Sequence, residues 1–334
     1  MSPNIAWGKR VIVLAAVLTL LTTACSSADT NSNSTAATAG AKKALRVGYI
    51  SFGESIPYVH TITQSLTKVA ASSGVEFVIC DSANDAETAL QCATRFKQQN
   101  VQGIVNYQGD ATASERICAA GPGVPVIAIT VHQKPCEVSW TGADNLAAGT
   151  MAGEGVGKYF KDNFNCEYDA YVSVEVKATG KTGIDRMGGY RAGFEAVCGK
   201  IHDFRSLDSK SDAAIARKNM LDTLTSIPNA KRIVVVGAND AIILGALSAA
   251  TSANRLDQVF VSAQGLDSSG VCGMRKYPKQ WIGDTAYFPE HYGEVVIPAI
   301  VSAINGDAIP KTLKAKIDFI TPKTADQYYA DVKC

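Results

Sequence analysis

The stretch R-I-V-V-V-G-A-N-D-A-I-I-L-G-A-L (232–247) changes character once along its length. Its first six residues are an apolar, β-branched run closed by glycine, the pattern of a strand buried on both faces. Asn239 and Asp240 follow, residue types that accept hydrogen bonds from the open N–H groups of a helix start. Beyond them the spacing predicts a helix over 239–253. A buried strand that passes straight into a helix at its carboxyl end is the repeating unit of a parallel sheet covered on both faces.

The unit recurs in both directions. Upstream, L-R-V-G-Y-I (45–50), V-E-F-V-I-C (75–80), V-Q-G-I-V-N-Y (101–107), V-P-V-I-A-I-T (124–130) and D-A-Y-V-S-V-E (169–175) read as strands, and downstream so do Q-V-F-V-S-A (258–263) and W-I-G-D-T-A (281–286). A helix is expected over 57–72, where Val59, Ile62, Leu66 and Val69 keep helical spacing behind Pro57, with others over 84–99, 183–197, 212–226 and 290–304. A chain of 334 residues exceeds one domain of about 150. The fold class is therefore α/β, with two doubly wound parallel-sheet domains joined by a hinge. Ligands of such sheets bind beyond the carboxyl ends of the strands, so two sheets facing each other there enclose a cleft.

Charge excludes some functions. Lys and Arg number 32 against 31 Asp and Glu, a formal +1, so there is no basic surplus to release counterions from nucleic acid. With 46% hydrophobic residues the chain is not of disordered composition. Lys9 and Arg10 precede an apolar run over 11–24. At 1.5 Å per residue that run covers about 21 Å, short of the roughly 30 Å of a bilayer core, so it reads as a signal peptide over 1–24 rather than a spanning helix. Thr22, Thr23 and Ala24 before Cys25 resemble a bacterial lipobox, after which Cys25 carries lipid; simple secretion by cleavage after Ala24 is the alternative. Either route places the chain outside the cytoplasm, anchored to the outer face of the cell membrane if Cys25 is lipidated. The mature chain, without Lys9 and Arg10, has a formal charge of −1. Residues 25–43 contain no large apolar side chain and read as a flexible tether.

The other eight cysteines, Cys80, Cys92, Cys118, Cys136, Cys166, Cys198, Cys272 and Cys334, form an even set, as expected for disulfides in an exported chain. None stands at C-x-x-C spacing, and His60, His132, His202 and His291 are scattered, so no metal site is expected. Eight cysteines allow 105 pairings, and spacing does not choose among them.

Five segments, in order, resemble the type I periplasmic-binding-protein family, in particular the ribose-binding-like receptors of ABC sugar importers. They are A-D-N-L-A-A-G-T-M-A-G (143–153), Y-R-A-G-F (190–194), G-A-N-D-A-I-I-L-G-A-L (237–247), V-S-A-Q-G-L-D (261–267) and A-Y-F-P-E-H-Y-G (286–293). The resemblance covers about 44–325. It implies a lobe from 44–143 plus 287–318 and another from 144–286 plus 319–334, without the N-terminal helix-turn-helix that related repressors carry. Cys80, Cys92, Cys118 and Cys136 then fall in the first lobe, and Cys166, Cys198, Cys272 and Cys334 in the second. Each lobe is expected to close its own set, because a bridge between lobes would resist hinge motion.

The resemblance also implies a ligand set. Asp267 matches a ligand-binding Asp at a strand end, though an Asp there also caps the helix that follows. Asn239 matches the Asn of the family's N-D pair, and Tyr58, after Pro57, its stacking aromatic; an N-cap and core packing are the plainer roles. Tyr287 stands where the family has Gln. For the family's Arg the chain offers Arg186 or Arg191, of which Arg186 is nearer the helix start that faces the cleft. Where the family has Asp-Arg after a strand, this chain has Thr130-Val131-His132, which places Thr130 and His132 at the rim and implies a smaller, less oxygenated or acyclic ligand such as a polyol. Glu54 lies in the loop before Pro57 and is a weaker candidate.

No cofactor and no enzymatic nucleophile is expected. E-V-K-A-T-G-K-T (175–182) resembles a phosphate loop but has Glu175 where the first glycine must stand. The glycines at 149, 153, 155 and 157 recur at helical distances and read as close helix packing. No G-x-S-x-G and no H-E-x-x-H is present. The implied protein is a monomeric, lipid-anchored receptor that captures a monosaccharide or polyol and delivers it to an ABC permease in the membrane. A sensory lipoprotein reporting the same ligand to a membrane receptor is the alternative, and an extracellular hydrolase a remote third.

Overall fold

The computed structural model describes residues 44–334; the expected signal peptide, tether and lipid-bearing Cys25 lie outside them. The chain runs β1 (Leu45–Ser51), α1 (Pro57–Ser72), β2 (Val75–Asp81), α2 (Ala86–Gln98), β3 (Gly103–Asn106), α3 (Ser114–Ala120), β4 (Val126–Ile129) and β5 (Glu137–Gly142). It continues through α4 (Asn145–Phe164), β6 (Ala170–Glu175), α5 (Lys181–Cys198), β7 (Phe204–Asp208), α6 (Ala213–Ser226), β8 (Ile233–Gly237), α7 (Asp240–Ser252), β9 (Val259–Gly265), α8 (Ser268–Lys276) and β10 (Trp281–Ala286). The last elements are α9 (Tyr292–Ile304), β11 (Thr312–Lys314), β12 (Asp318–Ile320) and α10 (Ala325–Tyr329).

Two six-stranded sheets result, ordered β2-β1-β3-β4-β5-β11 and β7-β6-β8-β9-β10-β12. All neighbours are parallel except β12, which runs antiparallel to β10. This is the expected fold class, two parallel-sheet domains. In β1 the pleat alternates: Val47 and Tyr49 pack on the face covered by α1 and α9, while Ile50 joins Phe96 and Ile117 of α2 and α3 on the other. Gly48 faces that second layer, where a Cβ would lie 2.6 Å from the Phe96 ring. Around the second sheet α4 to α8 build one continuous core centred on Tyr171, Val235, Val261 and Trp281.

The unforeseen strands β5 and β7, E-V-S-W-T-G and F-R-S-L-D, are short and mix polar with apolar residues, because β7 is an edge and β5 has only three-residue β11 outside it. The nine-residue α8, S-S-G-V-C-G-M-R-K, carries two glycines and two serines and so has little helical signal of its own. The expected strands at 101–107 and 124–130 shorten to β3 and β4, and the expected helix at 290–304 opens with a 3₁₀ turn, Pro289–His291.

The glycine run of α4 does pack closely. A Cβ on Gly149 would lie 2.1 Å from the carbonyl of Arg186, and one on Gly153 2.2 Å from that of Tyr190, so α4 and α5 touch backbone to backbone. Gly155 faces the other way, against the Phe319 ring of β12. The close approach brings the first turn of α4 within reach of Arg186.

The cysteines pair as Cys80–Cys92, Cys118–Cys136, Cys166–Cys198 and Cys272–Cys334. The first two tie elements of the first sheet and its helices, the last two elements of the second. No bridge among the described cysteines links the two sheets. Among the described residues no helix is long and apolar enough to cross a membrane.

Candidate functional site

The chain passes between the sheets three times, from β5 into α4, from β10 into α9, and from β11 into β12. The sheets meet across a cavity whose walls are the residues that leave the strands at their carboxyl ends. Phe52 follows β1, Tyr107 follows β3, Thr130 and Val131 follow β4, Val176 follows β6, Ala238 and Asn239 follow β8, and Tyr287 follows β10. The cavity has a volume of about 70 Å³. Few contacts close the lobes over it: Thr182 Oγ1 donates to the carbonyl of Thr130 (3.2 Å), and Asn84 Nδ2 to that of Lys210 (3.1 Å).

Backbone strain collects around this cavity. Thr130, Ser211, Leu266 and Phe288 all adopt φ between 50° and 61°, although none is glycine. For a β-branched Thr this conformation is costly and persists only where its surroundings hold it, a pattern typical of ligand sites. Thr130 is held by its N–H, which donates to Thr141, and by its carbonyl, which accepts from the Trp140 indole (3.1 Å).

Six of the residues singled out from sequence line the cavity: Tyr58, Thr130, Arg186, Asn239, Asp267 and Tyr287. Arg186 donates from Nε and Nη2 to Asn145 Oδ1 (3.0 and 2.8 Å) and from Nη1 to the carbonyl of Ala238 (2.7 Å), with its guanidinium 5.2 Å from the centre of the Tyr287 ring. Asn239 caps α7 through Oδ1, which accepts from the N–H of Ile242, and its Nδ2 donates to Ser211. Asp267 caps α8: Oδ1 accepts from Ser269 N–H (2.7 Å), Ser269 Oγ (2.6 Å) and Gly270 N–H (3.1 Å), and Oδ2 takes no hydrogen bond. The cap thus occupies one oxygen of the carboxylate and leaves the other without a hydrogen bond. Tyr58 meets Tyr287 edge to face, and its phenol bonds Tyr292.

Three candidates stand outside. Thr130, in its left-handed turn, sends Val131 inward and His132 outward; the His132 ring stacks on Trp140, and its Nδ1 lies 2.8 Å from Glu137. Glu54 braces the loop before α1, accepting from Ser51 and Thr63 and pairing with His60 (3.1 Å). Arg191, five residues beyond Arg186, points to the edge of the second sheet, where it pairs with Glu175 (3.7 Å) and covers the Phe204 ring.

The cavity also contains Phe52, Tyr107, Asp240 and Gln264, which sequence reasoning passed over. A charged or amide side chain inside an otherwise buried apolar strand was the available sign for Gln264 of β9 and, behind the cavity wall, for Asp284 of β10. Asp284 is fully buried and Asp240 nearly so, and no fixed donor reaches either oxygen of Asp284 or Oδ1 of Asp240. Burial, then the charges of Asp284 and Asp267, raises the Asp240 carboxyl well above its usual range. Burial raises Asp284 to about 7, against the lowering effect of the neighbouring Asp240 carboxyl, with which it can share a proton. At neutral pH the two carboxyls therefore share at least one proton. Oδ2 of Asp240 accepts from the N–H of Asp267 (3.3 Å), so the pair supports the cap of α8 from behind.

A family model described as a periplasmic binding protein domain matches residues 47–308. A ribose import binding protein of Haemophilus influenzae is 24% identical over 273 residues, which are 79% of this chain and 87% of that protein. A solved ABC transporter solute-binding protein of Mycobacterium smegmatis, with bound glycerol, superposes with a TM-score of 0.75 at 20% identity, over 87% of this chain and 98% of that one. Another from Bacillus halodurans, with bound myo-inositol, gives 0.73 at 19%, over 87% and 99%. With a family model matched across both sheets and the type I arrangement of those sheets in hand, the chain belongs to the periplasmic binding protein family.

Proposed function

We propose that this chain is an extracytoplasmic receptor that encloses a small sugar or sugar alcohol between two lobes, 44–143 plus 287–318 and 144–286 plus 319–334, and delivers it to an ABC permease. The observation that carries the reading is the cavity itself. It lies where two parallel sheets face each other with their carboxyl ends, combines aromatic faces with an acid whose Oδ2 takes no hydrogen bond, and is closed by few interlobe hydrogen bonds, those of Thr182 to Thr130, Asn84 to Lys210 and Tyr287 to Gln264 and Gly265. The lobes are joined by three crossings and, among the described cysteines, by no disulfide, so no covalent bridge there resists hinge opening. The names of the similar proteins, ribose import, bound glycerol and bound myo-inositol, point to the same chemical class. Titration calorimetry of the monomeric mature protein against monosaccharides and polyols tests it. Binding of one class member with a stoichiometry of one supports it, and no binding across the class overturns it.

The same reading places the receptor on the outer face of the membrane through lipid on Cys25. Cys25→Ser is expected to move the protein from the membrane fraction to the medium or soluble fraction, because residues 26–43 have no large apolar side chain to hold it. A variant that resists a high-salt wash of the membranes overturns the anchor.

A further inference from the structure

We propose that Tyr107, with Thr130 at its side, is the specificity-determining residue of the first lobe: its phenol donates to a ligand oxygen from the lobe opposite Asp267. This rests on the sugar or polyol reading above. Most polar side chains around the cavity are already committed to the protein. Arg186 is held by Asn145 and the carbonyl of Ala238, and both ends of the Asn239 amide are occupied. The hydroxyls of Thr179 and Thr182 donate to the carbonyls of Val176 and Thr130. In the first lobe the Tyr58 phenol bonds Tyr292, and the rest of the wall is Phe52, Ile56, Val59, Gly109 and Val131. Among the described residues, that leaves the phenol of Tyr107 and the hydroxyl of Thr130 as the side-chain groups this lobe can offer a ligand.

Both groups are fixed before a ligand arrives. The Tyr107 N–H donates to the carbonyl of Ile50 (2.9 Å), and its ring stacks on that of Phe52 with centres 5.6 Å apart, which limits how far the phenol can turn. Thr130 is locked at φ 60° by its N–H and carbonyl, neither of which uses the hydroxyl. Glycine would hold that turn without strain, so the cost of a β-branched residue there is explained by a hydroxyl placed for a ligand. Burial raises the Tyr107 phenol, against the lowering effects of the Thr130 hydroxyl and the Arg186 guanidinium beside it. It therefore keeps its proton at neutral pH and can donate. Asp267, in the other lobe, offers a carboxylate oxygen that can only accept. A sugar or polyol meets both demands, with one hydroxyl accepting from Tyr107 and another donating to Asp267. A ligand without the first oxygen leaves the phenol dehydrated and unpaired, and a site built to bond a hydroxyl rejects the analogue that lacks it.

The probes are D-ribose, D-allose, myo-inositol and glycerol, with the monodeoxy derivatives of whichever binds most tightly in calorimetric titrations of the mature protein. Tyr107→Phe keeps the stacked ring and removes only the oxygen. It is expected to bind the parent compound about fivefold to a hundredfold more weakly. For one monodeoxy derivative, itself a weaker ligand of the natural protein, the substitution is expected to make no further difference. Undiminished binding of the parent by Tyr107→Phe overturns the inference and leaves the sugar reading standing. So does an equal loss for the parent and every derivative, the result of a merely structural role. Thr130→Gly suits the left-handed turn and lacks the hydroxyl. Once a melting curve shows that it folds, it is expected to bind the parent at least about fivefold more weakly, and full affinity overturns the pairing with Thr130. Absence of binding by all the probes to the natural protein overturns the sugar reading and the inference together.

Discussion

Asp267→Asn is expected to bind the sugar or polyol about tenfold to a hundredfold more weakly than the natural protein while melting at nearly the same temperature. A carboxylate that accepts ligand hydroxyls in a dehydrated site makes charge-assisted bonds worth roughly 1.5 to 3 kcal/mol each, and 1.4 kcal/mol is a factor of ten. Asn caps helices about as well as Asp, so its Oδ1 takes over the bonds to Ser269 and Gly270 and α8 is kept. Asp267→Ala, in contrast, removes both oxygens and is expected to lose affinity and about 0.5 to 2 kcal/mol of stability together. Calorimetry and melting curves on the two variants separate the roles. Full affinity in Asp267→Asn with lowered stability in Asp267→Ala would leave Asp267 a helix cap and remove it from the ligand set.

The second large effect is on stability and has the opposite sign. Asp284→Asn is expected to stabilise the protein at pH 8 by roughly a few kcal/mol and to change it little near pH 3.5. Asp284 has its carboxyl raised from 3.8 to about 7 in the folded protein, chiefly by burial. A carboxyl with a raised folded value binds more protons folded than unfolded. Its favourable contribution is complete below the unfolded value and is lost as pH rises through the folded one. The groups that face it are Asp240 and Asp267, which raise it or share its proton, the Arg186 guanidinium, which lowers it, and the phenols of Tyr190, Tyr287 and Tyr329. The amide that replaces the carboxyl carries no charge and supplies an N–H to Asp240, which then relies less on a shared proton. Chemical denaturation from pH 3.5 to 8 measures this. A variant that is no more stable at pH 8, or that keeps the natural slope, shows that the two carboxyls do not share a proton.

The two residues differ in how far they could be read from the chain. Asp267 ends a β-branched strand and precedes two serines, and both of its roles follow from that local setting. Asp284 lies inside W-I-G-D-T-A, a strand that is buried in every residue. Its charge was visible there, but its partner was not, because Asp240 is 44 residues away and reaches it only through the neighbouring order β8-β9-β10.

Sequence alone determined the alternation of strands and helices, hence two parallel sheets, and it located the strand ends where a cavity must form. These are local properties: hydrophobic period, N-cap chemistry and glycine spacing act within a few residues and survive any change in the rest of the chain. Tertiary structure alone decided which way each side chain at those ends points and what it already holds. Arg186 and Arg191 share one helix, and only the packing of α5 between α4 and the sheet sends the first toward the cavity and the second to Glu175. His132 leaves the cavity because Thr130 is fixed in a left-handed turn by Thr141 and Trp140, partners supplied by the next strand. Hydrogen-bond commitment depends on groups distant in sequence, and only the folded chain brings those groups together.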